Sequence, residues 1–320
     1  MFRTNHARRS LVAGAAFAAL SLGAVAAAPG ALAAPGDSAG PTPSVGPTQT
    51  GGHTKLSVTG PAAVGLAGKP VEFTEKIINT NAEPEDLLLD LLVDAGGIPD
   101  NGLSLEYRTD SGVWKPLSLD IHAGTFEASL PGTIKLGPNE TRTFHLRLGL
   151  PMGEPHNGDS NGGATSLKLT SSVGAADGSW TLQARDIRTV KVQGLTSTLT
   201  GVPATAVPGG APIEFKATAA NTTASDYVNV TTVLYTNRYA TVQVYRGGHW
   251  VTLAPVLPND GPDVAGYYLR ARDYSAAKGS SSTVRVRISY KKTAPLGNTT
   301  VQQSIIVNEG STAFHGSYVG

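Results

Sequence analysis

The stretch Asp86-Leu-Leu-Leu-Asp-Leu-Leu-Val-Asp94 decides how this chain folds. By propensity alone its leucines favour a helix. A second segment argues otherwise. Tyr227-Val-Asn-Val-Thr-Thr-Val-Leu-Tyr235 stands at the matching place in a diverged tandem repeat, and its β-branched residues favour a strand. Two copies of one fold should agree, so both segments are read as strands.

The repeat rests on five landmarks that recur in one order. Leu56-Ser-Val-Thr-Gly60 returns as Ser197-Thr-Leu-Thr-Gly201, and Lys69-Pro-Val-Glu-Phe73 as Ala211-Pro-Ile-Glu-Phe215. Asn79-Thr80 is echoed by Asn221-Thr222, each pair beginning six residues after its Phe. Tyr107 followed by Gly112-Val-Trp114 is matched with Tyr245 followed by Gly248-His-Trp250. Leu146-Arg-Leu-Gly-Leu-Pro151 parallels Val286-Arg-Ile ahead of Ala294-Pro-Leu-Gly297. The reading is two copies of one domain, 55–193 and 194–308, followed by a tail over 309–320.

Apolar and polar residues alternate with a period of two. Val71, Phe73 and Glu75 share one face; Val284, Val286 and Ile288 alternate with Thr283, Arg285 and Arg287. That is a strand with one buried face. Asp110-Ser111-Gly112 and Arg246-Gly247-Gly248 sit between two such runs as hairpin turns. Short strands with frequent turns point to an all-β fold, two tandem Ig-like antiparallel β-sandwich domains, with a β-barrel as the alternative. The motif order (strand, Asn-Thr corner, strand, Gly-x-Trp hairpin, late strand closing on Pro-x-Gly) resembles the Ig-like modules of secreted bacterial proteins. That resemblance implies a non-enzymatic extracellular module. The Gly-, Ala- and Thr-rich usage also resembles that of high-GC Gram-positive bacteria.

Composition agrees with many short elements. The 320 residues include 38 Gly and 21 Pro, about 18% together against about 12% in average usage. The absence of cysteine excludes disulfides, thiolate metal sites, a Cys nucleophile and lipoprotein attachment. Arg3, Arg8 and Arg9, the apolar run Leu11–Ala28 and the small residues of Ala31-Leu-Ala33 have the order of a secretory signal over 1–33, cleaved after Ala33. The run is short and weakly hydrophobic for a membrane anchor. Arg8-Arg9 loosely resembles a twin-arginine signal, which leaves the export route open. Residues 34–54 hold almost no large apolar side chain and are read as a disordered linker. No sorting motif or apolar stretch follows the second repeat, so the expectation is a secreted chain, released or held non-covalently at the envelope.

No catalytic constellation stands out. Gly158-Asp-Ser160-Asn-Gly162 has the Gly-x-Ser-x-Gly spacing, which makes a serine hydrolase using Ser160 a remote alternative. However, His122 and His145 lack the context of a trypsin-like base, and the serine lies in an insertion absent from the second repeat. Asp159 and Asn161 are spaced like the start of a calcium loop, but Thr170 stands where its glutamate belongs. Asp94, Asp100 and Asn101 form a second acidic stretch that could hold structural calcium, while the seven scattered histidines include no pair with the spacing of a helical zinc site. The expectation is no cofactor. Trp114 and Trp250, at equivalent places, are either structural or a pair of sugar-stacking rings.

Charge separates the two copies. Residues 55–193 carry 12 basic and 17 acidic side chains, net −5, and residues 194–308 carry 10 and 5, net +5. Arg270, Arg272, Arg285, Arg287, Lys291 and Lys292 form the candidate surface for an anionic ligand. The expected partner is an anionic cell-wall polymer or another extracellular protein. Nucleic acid is not expected, because no recognition helix or aromatic–basic platform is present.

Overall fold

Leu87, Leu89, Leu91 and Val93 are all buried while Asp86 and Asp94 are exposed, an alternation that makes Glu85–Asp94 a strand rather than a helix. The structure, a computed structural model, describes residues 48–49, 52–151, 165–178, 180–256, 264–270, 274–307 and 312–319. Residues 43–320 form one compact unit. The expected signal, nearly all of the linker and the Ser160 loop lie outside the described residues. Among the described residues no helix forms, and none is long and apolar enough to cross a membrane.

Four sheets make up the fold. The first runs β2 (Thr54–Thr59), β4 (Val71–Asn79), β11 (Thr141–Gly149), β6 (Ser104–Arg108) and β7 (Trp114–Pro116). It shares a core with a larger sheet running β1 (Thr48–Gln49), β13 (Leu182–Gln193), β12 (Ser166–Ala175), β5 (Glu85–Asp94), β9 (Thr125–Ser129) and β8 (Asp120–His122). In that sheet β10 (Ile134–Leu136) also pairs with β5, and β3 (Ala63–Gly65) runs parallel to β13. The arrangement is Ig-like: β2, β4, β11 and β6 take the A-B-E-D places, and β13, β12 and β5 take G-F-C. Strands β7 to β10 are inserted between the D and E places.

The second pair of sheets repeats this order. One runs β14 (Thr196–Thr200), β15 (Ile213–Ala220), β21 (Ser281–Tyr290), β17 (Ala240–Arg246) and β18 (His249–Thr252). The other runs β19 (Val264–Tyr268), β16 (Tyr227–Asn237), β22 (Val301–Val307) and β23 (Thr312–Val319), with β20 (Tyr274–Ala276) also on β16. The Asn-Thr corners explain part of the shared sequence. Asn79 Nδ2 donates to Glu83 O (2.9 Å) and Gly137 O (3.1 Å). Asn221 Nδ2 donates to Ser225 O (2.8 Å) and Ala276 O (2.9 Å). Each buried amide satisfies the carbonyls of a loop crossing between sheets, which no apolar residue could do.

Three sequence expectations are corrected. The tail assigned to 309–320 contains β23, which pairs antiparallel with β22 because that position completes the second G-F-C sheet. The linker assigned to 34–54 already pairs at Thr48–Gln49 with Arg185 and Ala184, where the β13 edge offers free backbone groups. Tyr107 and Tyr245 are not equivalent. Tyr107 lies opposite Leu146, and the residue opposite the matching Val286 is Val244. The hairpin loops differ in length, five residues at Thr109–Val113 and two at Gly247–Gly248. The resulting one-residue slip points Tyr107 toward the core and Tyr245 to solvent.

The two cores are unequal. The first also contains Tyr227, Val230, Ala276, Ile305 and Val307, so it extends into the adjoining end of the second pair of sheets. There Ser225 Oγ accepts from Gly65 N (2.9 Å), Asp226 O from Lys69 N (2.8 Å) and Gln193 Oε1 from Ala224 N (3.0 Å). A Cβ at Gly65 or Gly68 would lie 2.6 Å from Ser225 Cβ, so glycine permits this close approach.

Candidate functional site

The alternation of β21 sends Val286 and Ile288 into the core and leaves Arg285 and Arg287 on the solvent face. β17 and β18 lie beside it, with Tyr245 directly opposite Trp250. These two rings meet edge to face at 5.3 Å. The Arg285 guanidinium lies 4.7 Å from the Tyr245 ring centre and 5.5 Å from that of Trp250. The Arg287 guanidinium lies 4.5 Å over Trp250. Both arginines are therefore held extended against aromatic faces, which lowers the entropy cost of engaging a ligand.

The first sandwich shows what this arrangement would be with its charge closed off. Arg147, equivalent to Arg287, lies 4.6 Å over Trp114. It forms a two-pronged ion pair with Glu106, through Nε to Oε2 and through Nη2 to Oε1 at 3.0 Å. The Glu106 hydrogen bond holds the Arg147 guanidinium above its ordinary pKa. In the second sandwich Gln243 takes the place of Glu106 and accepts from Arg287 Nε at 2.6 Å. A neutral amide orients the guanidinium without cancelling its charge. Arg285 replaces His145, and its carboxylate contact is an exposed one with Glu214 at 3.4 Å.

Beside Tyr245 a cleft of about 420 Å³ is lined by Arg246, Leu269, Arg270, Tyr274 and Thr283. Arg270 lies 4.8 Å over Tyr274, and its buried Nε has no hydrogen-bonding partner among the described residues. Arg246 is fixed by donating to Leu269 O at 2.5 Å. Four guanidinium groups thus follow one another from Trp250 to Tyr274. Chemically, the face can accept an extended anion by charge-assisted hydrogen bonds, with aromatic edges for apolar parts of the ligand.

The expected anionic surface is therefore divided. Arg285 and Arg287 lie together and Arg270 lines the adjoining cleft, while Arg272 is outside the described residues along with Asp260, Asp263 and Asp273. Lys291 and Lys292 follow the opposite end of β21 and belong to another surface. Trp114 and Trp250 occupy equivalent positions, but each ring lies under a guanidinium. Arg246 and Tyr245 enter from the sequence only as a turn residue and a repeat landmark, not as site residues; the one-residue hairpin slip hides the role of Tyr245.

The remaining candidates do not converge. Ser160, Asp159 and Asn161 lie outside the described residues, and His122 and His145 sit on different sheets, on β8 and β11. Among the described residues no three His, Asp or Glu side chains are placed to hold a metal. Trp180, in the β12–β13 turn, lies over Gly174, where a Cβ would fall within its ring.

Neither a protein-family model nor a curated protein matches this sequence. Solved structures superpose loosely. The C-terminal domain of the Streptococcus pyogenes antigen I/II-family protein AspA is 7% identical, with a TM-score of 0.42, over 83% of this chain and 98% of that one. The C-terminal domain of the Streptococcus agalactiae antigen I/II polypeptide BspA is 6% identical, with a TM-score of 0.36 and the same coverage. AvmM, which catalyses macrocyclization in alchivemycin A biosynthesis, is 15% identical, with a TM-score of 0.35, over 46% of this chain and 96% of that one. At these scores neither adhesion nor catalysis transfers to the present chain.

Proposed function

We propose that this chain is an exported, non-catalytic binding protein of the cell envelope. In this reading its two sandwiches, 55–193 and 194 onward, take different roles. The second presents the Arg285–Arg287–Trp250 face to an anionic wall polymer. The observation that carries the reading is the exchange of Glu106 for Gln243, which leaves Arg287 oriented but without the two-pronged ion pair that Arg147 has. The secretory pattern of residues 1–33 and the basic excess of 194–308 support it.

The test uses residues 43–320 and purified anionic cell wall. The protein should sediment with wall at about 20 mM salt and be released at about 500 mM, because screening shortens the reach of exposed charges. Arg285→Ala combined with Arg287→Ala should lower the bound fraction about tenfold and leave the thermal unfolding temperature near its original value. Binding that is absent at both salts, or unaffected by the double substitution, would defeat the reading.

A further inference from the structure

The cleft beside Tyr245 is lined from both sheets of the second sandwich. Tyr245 and Arg246 reach it from the end of β17, and Thr283 and Val284 from the start of β21. Leu269 and Arg270 follow β19, and Tyr274 opens β20. Its volume of about 420 Å³ falls in the range of about 300–1,000 Å³ typical of small-molecule sites.

Two arginines set the charge of the ligand that fits. The Arg270 guanidinium stacks on Tyr274 at 4.8 Å, which occupies one of its faces and leaves its N–H edge for an acceptor. That edge is unused. The buried Nε–H has no hydrogen-bonding partner among the described residues, and Arg270 forms no ion pair with them. An unpaired buried donor is costly, and a ligand oxygen would remove the cost. Arg246 adds a second guanidinium, held by its bond to Leu269 O with no carboxylate against it. None of the lining residues is acidic. Residues 271–273, outside the described residues, bring one basic and one acidic side chain and so no net charge. Two guanidinium groups without a carboxylate favour a doubly charged anion.

The rest of the lining sets the body of that ligand. Leu269 is fully buried and Val284 packs against the second core, so both supply apolar wall. Tyr245 and Tyr274 add aromatic surface. The Thr283 hydroxyl, already joined to Thr218 Oγ1 at 2.9 Å, retains capacity for a ligand hydroxyl. A bare inorganic anion would leave the apolar wall wet, whereas a sugar-sized carbon skeleton covers it.

We propose that this cleft binds a phosphate monoester carried on a sugar-sized polyol. Arg270 grips the phosphate through its Nε–H edge, Arg246 supplies the second charge, and the skeleton lies against Leu269, Val284 and the tyrosines. Such a monoester carries a charge of about −1.5 to −2 at about pH 7, while a carboxylate, a sulfate ester or a phosphodiester carries a single charge. The site differs from the Arg285–Arg287–Trp250 face in residues and in ligand, and does not depend on the wall-binding reading.

Titration calorimetry on residues 43–320 tests it. Glucose 6-phosphate should bind, glucose 6-sulfate, glucuronate and inorganic phosphate should each bind about tenfold more weakly, and glucose should give no signal. Arg270→Gln should weaken glucose 6-phosphate about tenfold, and Arg270→Lys, which keeps the charge without the planar fork, nearly as much. Thermal unfolding of both variants should stay near that of the parent. The Arg285→Ala and Arg287→Ala double variant should keep its affinity for glucose 6-phosphate, so this proposal and the wall-binding reading fail separately. Soluble wall fragments, before and after phosphatase removal of monoesters, identify the source. Competition lost on treatment places the monoester at polymer ends, and no competition by either places it on a free sugar phosphate. Competition that survives treatment would overturn the proposal. So would a parent that does not bind glucose 6-phosphate, equal affinity for glucose 6-sulfate or inorganic phosphate, or parental affinity in Arg270→Gln.

Discussion

Glu75 is fully buried on the inward face of β4, among groups that only partly satisfy a carboxylate. Ser171 Oγ donates to its Oε1 at 2.5 Å, while Oε2 has no partner among the described residues. The charged and titratable groups nearby are Asp186 and Arg188, joined to each other at 2.8 Å, and Arg188 also donates to Val58 O and Gly60 O. Burial, reinforced by Asp186, pushes the Glu75 pKa up to about 7. The native state then holds a proton that the unfolded chain has released between its ordinary pKa of about 4.5 and about 7. Stability is greatest below that window and falls as pH rises through it, by up to about 3 kcal/mol. Glu75→Gln should flatten this slope, leaving stability at pH 5 near that of the parent and raising it at pH 8. Urea unfolding at the two pH values checks the expectation, and a Gln variant with the parental slope would assign the dependence elsewhere.

At the scale of elements, two hairpins built on one plan differ in charge pairing and in the face they present through two small changes. β6–β7 closes its arginine with Glu106, whereas β17–β18 has Gln243 there and shifts by one residue to bring Tyr245 opposite Trp250. Gln243→Glu should therefore convert the second face toward the first, pairing Arg287 and removing one effective positive charge. The expected result is several-fold weaker binding to anionic wall at low salt, with a shallower salt dependence, in the sedimentation assay above. Unchanged binding would mean that Arg287 is not part of the contact.

Across the whole molecule, the junction determines whether the two sandwiches unfold together. Gly68 leaves room for Ser225, and Tyr227 is buried at 2% exposure, its hydroxyl held above the usual phenol pKa by that burial. Gly68→Val would push a side chain into Ser225 and Tyr227, at a cost of about 1–3 kcal/mol. The parent should show one calorimetric transition. The variant should show two, since each core retains its own strands once the shared contacts are lost. A single undivided transition in the variant would show that the junction contributes little to cooperativity.

Much of the architecture was legible in residues 55–308. Period-two alternation identifies a strand with one buried face, and it placed even Glu75 on the inner face of β4. The repeat resolved Asp86–Asp94, whose leucines alone are ambiguous, because the shared ladder position outweighs local propensity. The equivalence of Arg147 with Arg287 and of Trp114 with Trp250 was also visible in the motifs. Loop lengths, long-range pairing and the meeting of distant segments were not. A difference in hairpin length displaced Tyr245 by one residue, and that displacement reversed the face it occupies. β23 and the pairing of Thr48–Gln49 depend on sheet edges completed far away in the chain. The sequence determined which faces are apolar and where charge accumulates, since both are local properties of a strand. Only the tertiary structure decided that Arg147 is ion-paired to Glu106 while Arg287 meets Gln243 on that side, with Glu214 opposite it in the other ladder and in contact with Arg285. That depends on which side chain lies across the ladder, and cross-strand distance has no counterpart in sequence spacing.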